Sequence, residues 1–370
     1  MKFYIVAGEV SGDLHGSNLI RGLLEVDPSC EIRFYGGDLM AEAGGVMFRN
    51  FRDNAVMGVT EVISRAGKIL GNLSAVKRDI LAFNPDAVIL VDCPGFNLRI
   101  ARFAHSRNIR TYYYIAPKVW AHGEWRIRLL KKYVDKLFVI FPFEVEYFRS
   151  RGINAIYCGN PLLDILPFAG TCFHEGRTIA LLAGSRKTEI DRLMPRYLAL
   201  EKILDEDERF SGFKLVLACA PSVDMETYCR HIPAGSRIEP VKGDTYGVLS
   251  RASAAVVANG TANLEAALAG TPQVSCYAMN PITFFIARLL VKVDMVSLPN
   301  IILGRAAIKE LLQNDADPQS IRNELVSILF DSCRRRRMLE DYEELRSVLQ
   351  CGDNSSQSVS HRIAGMMIDR

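Results

Sequence analysis

No C-x-x-C pair occurs among the nine cysteines of this 370-residue chain, which are odd in number and scattered from Cys30 to Cys351. That pattern argues against a structural zinc or a disulfide scaffold and fits a reducing, cytoplasmic setting. The six histidines show no ligand spacing, so no metal and no metal-held cofactor is expected. No apolar run approaches the ~18 residues that span a bilayer. The short apolar run after Met1-Lys2 is too brief for a secretory core. The chain is therefore expected to be soluble or, at most, to lie on a membrane surface. A formal charge of +3 is too small to imply a nucleic-acid partner. There is no G-x-G-x-x-G fingerprint and no tandem repeat of about 20–50 residues.

What is present is ample apolar material, 49% hydrophobic against 24% charged, in a chain longer than one core readily serves. Two domains are expected. Residues 1–168 read as strand–helix units, with strands at Phe3–Ala7, Ile32–Tyr35, Ala87–Val91, Thr111–Ile115, Leu137–Phe141 and Ala155–Tyr157. Helical patterns fall between most of them, as at Asp13–Glu25 and Leu98–Ser106. A hinge is predicted from Gly159-Asn160-Pro161 to Gly170. A second series over 169–340 has strands at Thr178–Ala183, Lys214–Ala218, Ala254–Ala258 and Gln273–Tyr277, with helices around Glu189–Leu204 and Glu265–Leu268. Residues 341–370 read as a polar helical tail. Alternating strands and helices of this kind predict two doubly wound, Rossmann-like α/β domains, binding ligand at the carboxyl ends of their strands across a cleft.

The stretch AAVVANGTANLEAALAGTP, Ala254–Pro272, anchors the functional reading. An apolar strand breaks at Asn259-Gly260, and Thr261 is placed to cap a helix that Gly270 and Pro272 end. Such a turn presents unpaired N–H groups and a positive helix end, which suit a diphosphate. Ala262 lies in the same turn, and Glu265 is placed for ribose hydroxyls. The plainer reading is an ordinary α/β turn in which Glu265 complements the dipole. Gly184-Ser185-Arg186 is a second strand–turn–helix site in the same half, with Arg186 suited to phosphate.

In the first half, Glu9, Ser11 and Asp13 make an acidic, hydroxyl-bearing turn, better matched to sugar hydroxyls than to phosphate. Ser11 or Asp13 as a helix cap is the structural alternative. Asp92 ends the apolar run Ala87–Val91, where desolvation raises a carboxyl pKa and makes a general base; it would equally cap the next turn. Gly36-Gly37-Asp38 is the main support for a nicotinamide enzyme. Val56, Met57, Val59, Val62 and Ile63, beside Arg65 and Lys68, suit a bilayer surface, as does Phe284–Val293; both also read as core-facing helices. The run Arg334–Arg337 fits a solvated helix face or anionic headgroups.

Taken in order, AGEVSGD (7–13), AVMGVTEV (55–62), PDAVILVDCPGFN (85–97), VWA (119–121), FPFE (141–144), GSR (184–186), NGTANLEAAL (259–268) and SLPNIILGR (297–305) resemble the lipid-A-disaccharide synthases, bacterial inverting glycosyltransferases of the GT-B fold. The resemblance spans nearly the whole chain. It implies a reaction joining UDP-2,3-diacylglucosamine to 2,3-diacylglucosamine 1-phosphate, giving the β-1′,6 disaccharide and UDP. It also implies roles. Asp92 is the candidate base, with Asn300 also needed for activity. Glu9, Ser11 and Asp13 lie toward the acceptor; Gly184, Ser185, Arg186, Gly260, Thr261, Ala262 and Glu265 lie at the UDP end. No metal is implied. The acylated substrates imply peripheral association with the cytoplasmic face of the inner membrane, and some members form homodimers by exchanging C-terminal segments. Departures from the family pattern at Gly95, Lys118, His122, Ala183 and Asn259 remove no proposed catalytic group.

Rival readings are another GT-B enzyme on a UDP-sugar, such as a UDP-N-acetylglucosamine 2-epimerase or a transferase with a different lipid acceptor; a nicotinamide dehydrogenase; and a non-catalytic membrane-surface protein.

Overall fold

The computed structural model describes the backbone of residues 1–54, 61–166, 176–278, 295–352 and 357–369, and side chains throughout these except at 53, 54 and 61–69. Two compact units result, Met1–Asp164 with Leu349–Arg370, and Ile165–Val348. The first break thus falls four residues before the expected one. The second unit runs on past residue 340 because the helix Ser332–Leu349 continues through that point. Residues 349–370 are not a separate tail but part of the first unit.

In the first unit, β1 (Lys2–Ala7), β2 (Glu31–Gly36), β3 (Val46–Asn50), β4 (Ala87–Val91), β5 (Arg110–Tyr114), β6 (Lys136–Val139) and β7 (Ala155–Tyr157) form one parallel sheet in the order β3-β2-β1-β4-β5-β6-β7. Successive residues of a strand face opposite sides, so two cores form. Phe3, Ile5, Ile89 and Val91 pack on Leu19, Ile20 and Leu23 of the helix Val10–Val26. Tyr4, Val6, Val88 and Leu90 pack on Val76, Ile80, Leu98 and Ile100 from the helices Glu61–Phe83 and Pro94–His105. A strand covered on both faces must be apolar throughout, as Ala87–Val91 is.

The C-terminal segment closes the first core. Asp164 caps the helix Val359–Ile368, accepting from the Val359 N–H at 2.8 Å, the Ser360 N–H at 2.9 Å and the Ser360 hydroxyl at 2.8 Å. Ile363 and Met367 then join that core. The contact with Val10–Val26 is close enough that a Cβ at Gly22 would lie 2.7 Å from the Ser360 carbonyl oxygen.

The second unit repeats the plan with six parallel strands, β8 (Thr178–Leu182), β9 (Lys214–Cys219), β10 (Ile238–Lys242), β11 (Ala254–Ala258), β12 (Gln273–Tyr277) and β13 (Lys309–Leu312), ordered β10-β9-β8-β11-β12-β13. Three strands went unpredicted: β3, β10 and β13. All are edge strands. An edge strand is covered less completely and needs no continuous apolar run, and Pro240 in β10 is tolerated there because one side of the ladder is open.

Candidate active site

In each sheet the strand order reverses direction at one point, between β1 and β4 in the first unit and between β8 and β11 in the second. Loops leaving two such neighbouring strands diverge to opposite faces and leave a crevice at the carboxyl ends. Glu9, Ser11 and Asp92 lie at the first of these points, and Gly184–Arg186, Gly260–Ala262 and Glu265 at the second.

At the first, Glu9 follows β1 and Asp92 follows β4. Glu9, not Ser11 or Asp13, occupies the N-cap position of Val10–Val26. Its carboxylate accepts the Ser11 hydroxyl at 3.3 Å and contacts the Asp92 carboxyl. Burial first, then the charge and hydrogen bond of Glu9, push the Asp92 carboxyl up to about 6, while the Lys118 ammonium opposes the rise. Asp92 and Cys93 both have left-handed backbones, with φ of 46° and 45°. The Asp92 N–H donates to the Tyr114 carbonyl at 3.0 Å, and its own carbonyl accepts from Asn97 Nδ2 at 2.7 Å and the Tyr113 hydroxyl at 2.6 Å.

Asp13 is placed differently. It is 1% exposed and accepts the N–H groups of Gly37, Leu39 and Met40 at 3.0, 3.3 and 3.1 Å. It caps the helix Asp38–Glu42, and a Cβ at Gly37 would lie 2.3 Å from its carboxylate. In the Gly36-Gly37-Asp38 turn, which suggested a nicotinamide ribose site, the Gly37 N–H is committed to Asp13 and the Asp38 carboxylate accepts from Asn50 Nδ2 at 2.8 Å and Arg52 Nη1 at 3.3 Å.

Glu144 escaped the residue-by-residue reading. It is buried, accepts Trp120 Nε1–H at 2.9 Å and the N–H groups of Phe141 and Ile140 at 3.0 and 3.2 Å, and is pushed by burial to about 7 against those bonds and Lys118. Lys118 thus serves two carboxyls, Asp92 and Glu144.

At the second point, Gly184 has φ of 97° and Arg186 is the N-cap residue of Lys187–Asp205. The Arg186 side chain is 80% exposed and donates to Glu189 Oε1 at 3.0 Å, while the Ser185 N–H donates to Glu189 Oε2 at 3.3 Å. Tyr228 fixes the turn by donating to the Gly184 carbonyl at 2.7 Å. The neighbouring turn is capped by Gly260 rather than Thr261, which is the first helical residue. Asn263 Oδ1 accepts the Gly260 N–H at 3.1 Å, and Gln273 anchors Asn263. Thr261 is exposed and Ala262 half-buried. The Glu265 carboxyl has no hydrogen-bond partner among the described residues, and burial raises it to about 7. An unpaired carboxyl beside a helix start suits a ligand hydroxyl.

Asn300 is also placed differently from a substrate contact. It is 2% exposed, donating to the Ile308 carbonyl at 3.0 Å and Glu310 Oε1 at 2.8 Å and accepting the Ile308 N–H at 2.9 Å. It fastens Leu298–Leu303 to the approach to β13. Val56, Met57 and Val59 lie outside the described residues, as does Phe284–Val293; Val62 and Ile63 belong to the helix Glu61–Phe83, but their side chains are not described. Among the described residues no helix is long and apolar enough to cross a membrane. In the arginine run, Arg334 pairs with Glu324 at 3.4 Å, and Arg336 and Arg337 are exposed.

Two doubly wound parallel sheets, one with the raised Asp92 carboxyl beside Glu9 at its reversal point and the other with two helix-start turns, define a GT-B-type glycosyltransferase architecture. Solved structures share it: the UDP-GlcNAc 2-epimerase of Neisseria meningitidis bound to UDP-GlcNAc has a TM-score of 0.65 at 12% identity over 100% of both chains. Acinetobacter baumannii MurG has 0.56 at 15%, covering 99% of this chain and 98% of that one. At such identities the likeness shows the fold alone. Sequence goes further. The family model for lipid-A-disaccharide synthetase matches residues 3–364. The lipid-A-disaccharide synthase of Syntrophus aciditrophicus is 38% identical over 93% of this chain and 92% of its own. That of Myxococcus xanthus is 36% identical over 94% and 93%. The chain belongs to the lipid-A-disaccharide synthase family.

Proposed function

We propose that this protein transfers the sugar of UDP-2,3-diacylglucosamine to the 6-hydroxyl of 2,3-diacylglucosamine 1-phosphate, releasing UDP and forming a β-1′,6 link with inversion. The observation that carries this reading is the division of chemistry between the two reversal points. Asp92 is raised to about 6, so at neutral pH it is mostly ionised yet more basic than an ordinary aspartate. In the reaction its carboxylate takes the acceptor O6 proton as O6 bonds to the anomeric carbon. The bond from that carbon to the diphosphate oxygen breaks, and UDP leaves with the electron pair. Arg186 and the helix starts at Lys187 and Thr261 stabilise the departing charge. Glu265 holds the ribose hydroxyls. Glu9 and Ser11 contact the acceptor, while Asp13 supports the Asp38–Glu42 helix start beneath them. Acylated substrates place the enzyme peripherally at the cytoplasmic face of the inner membrane.

The test is incubation of the purified protein with both substrates in detergent micelles, with the product's linkage and anomeric configuration read by NMR. A β-1′,6 disaccharide and one UDP per link are expected. UDP-sugar turnover without the acceptor would instead indicate an epimerase-type reaction, and an α-linkage would exclude direct inverting displacement.

A further inference from the structure

The backbone at the end of β4 is unusual in a way the transfer reaction does not by itself explain. Asp92 and Cys93 are consecutive non-glycine residues with φ of 46° and 45°, a region that L side chains rarely enter. Such conformations persist only where the surroundings over-determine them. Here the surroundings are two buried side chains on one carbonyl. Tyr113, fully buried on the neighbouring β5, donates its hydroxyl to the Asp92 oxygen at 2.6 Å. Asn97, fully buried in the first turns of Pro94–His105, donates to the same oxygen at 2.7 Å and to the Val91 carbonyl at 2.9 Å.

Asn97 adds a second, independent sign. Its Oδ1 is enclosed and has no hydrogen-bond partner among the described atoms. A buried acceptor left unpaired is destabilising, and an apolar side chain of similar shape avoids that penalty. What asparagine offers over an apolar side chain at this position is its NH₂ group, which reaches the carbonyls of Asp92 and Val91 and, at 3.4 Å, that of Val6. With that carbonyl turned onto buried donors, the Asp92 side chain is left on the side of Glu9 and Lys118.

We infer that Tyr113 and Asn97 are positioning residues that clamp the left-handed Asp92–Cys93 backbone and so hold the Asp92 carboxylate in its working direction. Neither touches substrate. The inference rests on the reading of Asp92 as the base. Relaxation toward an ordinary β or helical backbone swings the side chain away, and misplacement by about 1 Å costs roughly a hundredfold in rate.

Tyr113→Phe deletes one oxygen from a packed ring and is the variant of choice. Its kcat is expected to fall ten- to a hundredfold, with KM for both substrates and UDP affinity within about twofold of wild type. The acid limb of its pH–rate profile is expected to move, because Asp92 changes surroundings. Tyr113→Phe combined with Cys93→Gly is expected to recover part of the loss, since glycine adopts the left-handed conformation without strain. Wild-type kcat in Tyr113→Phe with only a lower melting temperature overturns the inference, as does an absence of rescue. If Tyr113→Phe does not fold, Asn97→Ser is read by the same split of kcat against KM. Asp92→Asn is run alongside: retained turnover there overturns the base reading and this inference with it. Loss there, with Tyr113→Phe unaffected, overturns this inference alone.

Discussion

Replacing Glu9 by Gln should move the acid limb of the rate profile while leaving its shape intact. With Asp92 raised to about 6 and acting as the proposed base, activity should fall as pH drops through 6, because a protonated carboxyl cannot accept a proton from the acceptor hydroxyl. Burial is the larger cause of the raised value and Glu9 the second. Two unit charges ~4 Å apart repel by about 4 kcal/mol at an effective dielectric of 20. Glu9 is exposed, and solvent screening brings this to the order of 1 kcal/mol, or somewhat under one pH unit at ~1.4 kcal/mol per unit. Glu9→Gln should therefore lower the limb from about 6 by roughly 0.7 of a unit, to about 5.3. At pH 5 the ionised fraction then rises from about one-tenth to about one-third, so activity relative to each enzyme's own plateau increases roughly fourfold. The assay is kcat/KM for disaccharide formation from pH 4.5 to 8. Normalising to the plateau separates this shift from any loss of acceptor contact by Glu9. A limb that stays at 6, or moves upward, would refute the reasoning, leaving burial alone as the cause.

Two further outcomes concern the second unit, Ile165–Val348. Glu189 sits on the Ser185 N–H and the Arg186 guanidinium that are proposed to meet the diphosphate, so Glu189→Gln should tighten UDP binding several-fold by calorimetry; weaker binding would mean Glu189 orders the turn for the ligand. Asn300→Ala strips three hydrogen bonds from a buried junction and should lower unfolding free energy by about 2–4 kcal/mol in urea; unchanged stability with lost turnover would place Asn300 against substrate instead.

The central strands were legible because strands covered on both faces must be apolar: Ala87–Val91, Ala254–Ala258 and Gln273–Tyr277 emerge with the bounds expected. β3, β10 and β13 were not, since edge strands such as IEPVK carry no such run. The turns at Gly184 and Gly260 announced themselves through glycine and a following amphipathic helix. The cap was misassigned to Thr261 because Asn263, reaching back to the Gly260 N–H, does the capping from inside the helix. Asp13 and Asn300 are polar residues whose partners lie at Gly37–Met40 and Ile308–Glu310, and no local pattern distinguishes such buried anchors from site residues. The left-handed pair Asp92–Cys93 is likewise silent in sequence, because neither residue is glycine and the tyrosine that donates to the Asp92 carbonyl lies on another strand.

The central claim is that Asp92 removes the acceptor proton while a separate unit holds UDP. Wild type and Asp92→Asn should be compared side by side for disaccharide formation and for UDP affinity. Turnover should fall by at least about a thousandfold in Asp92→Asn, with UDP bound as tightly as by wild type. Disaccharide formed at near wild-type rate by Asp92→Asn would contradict it.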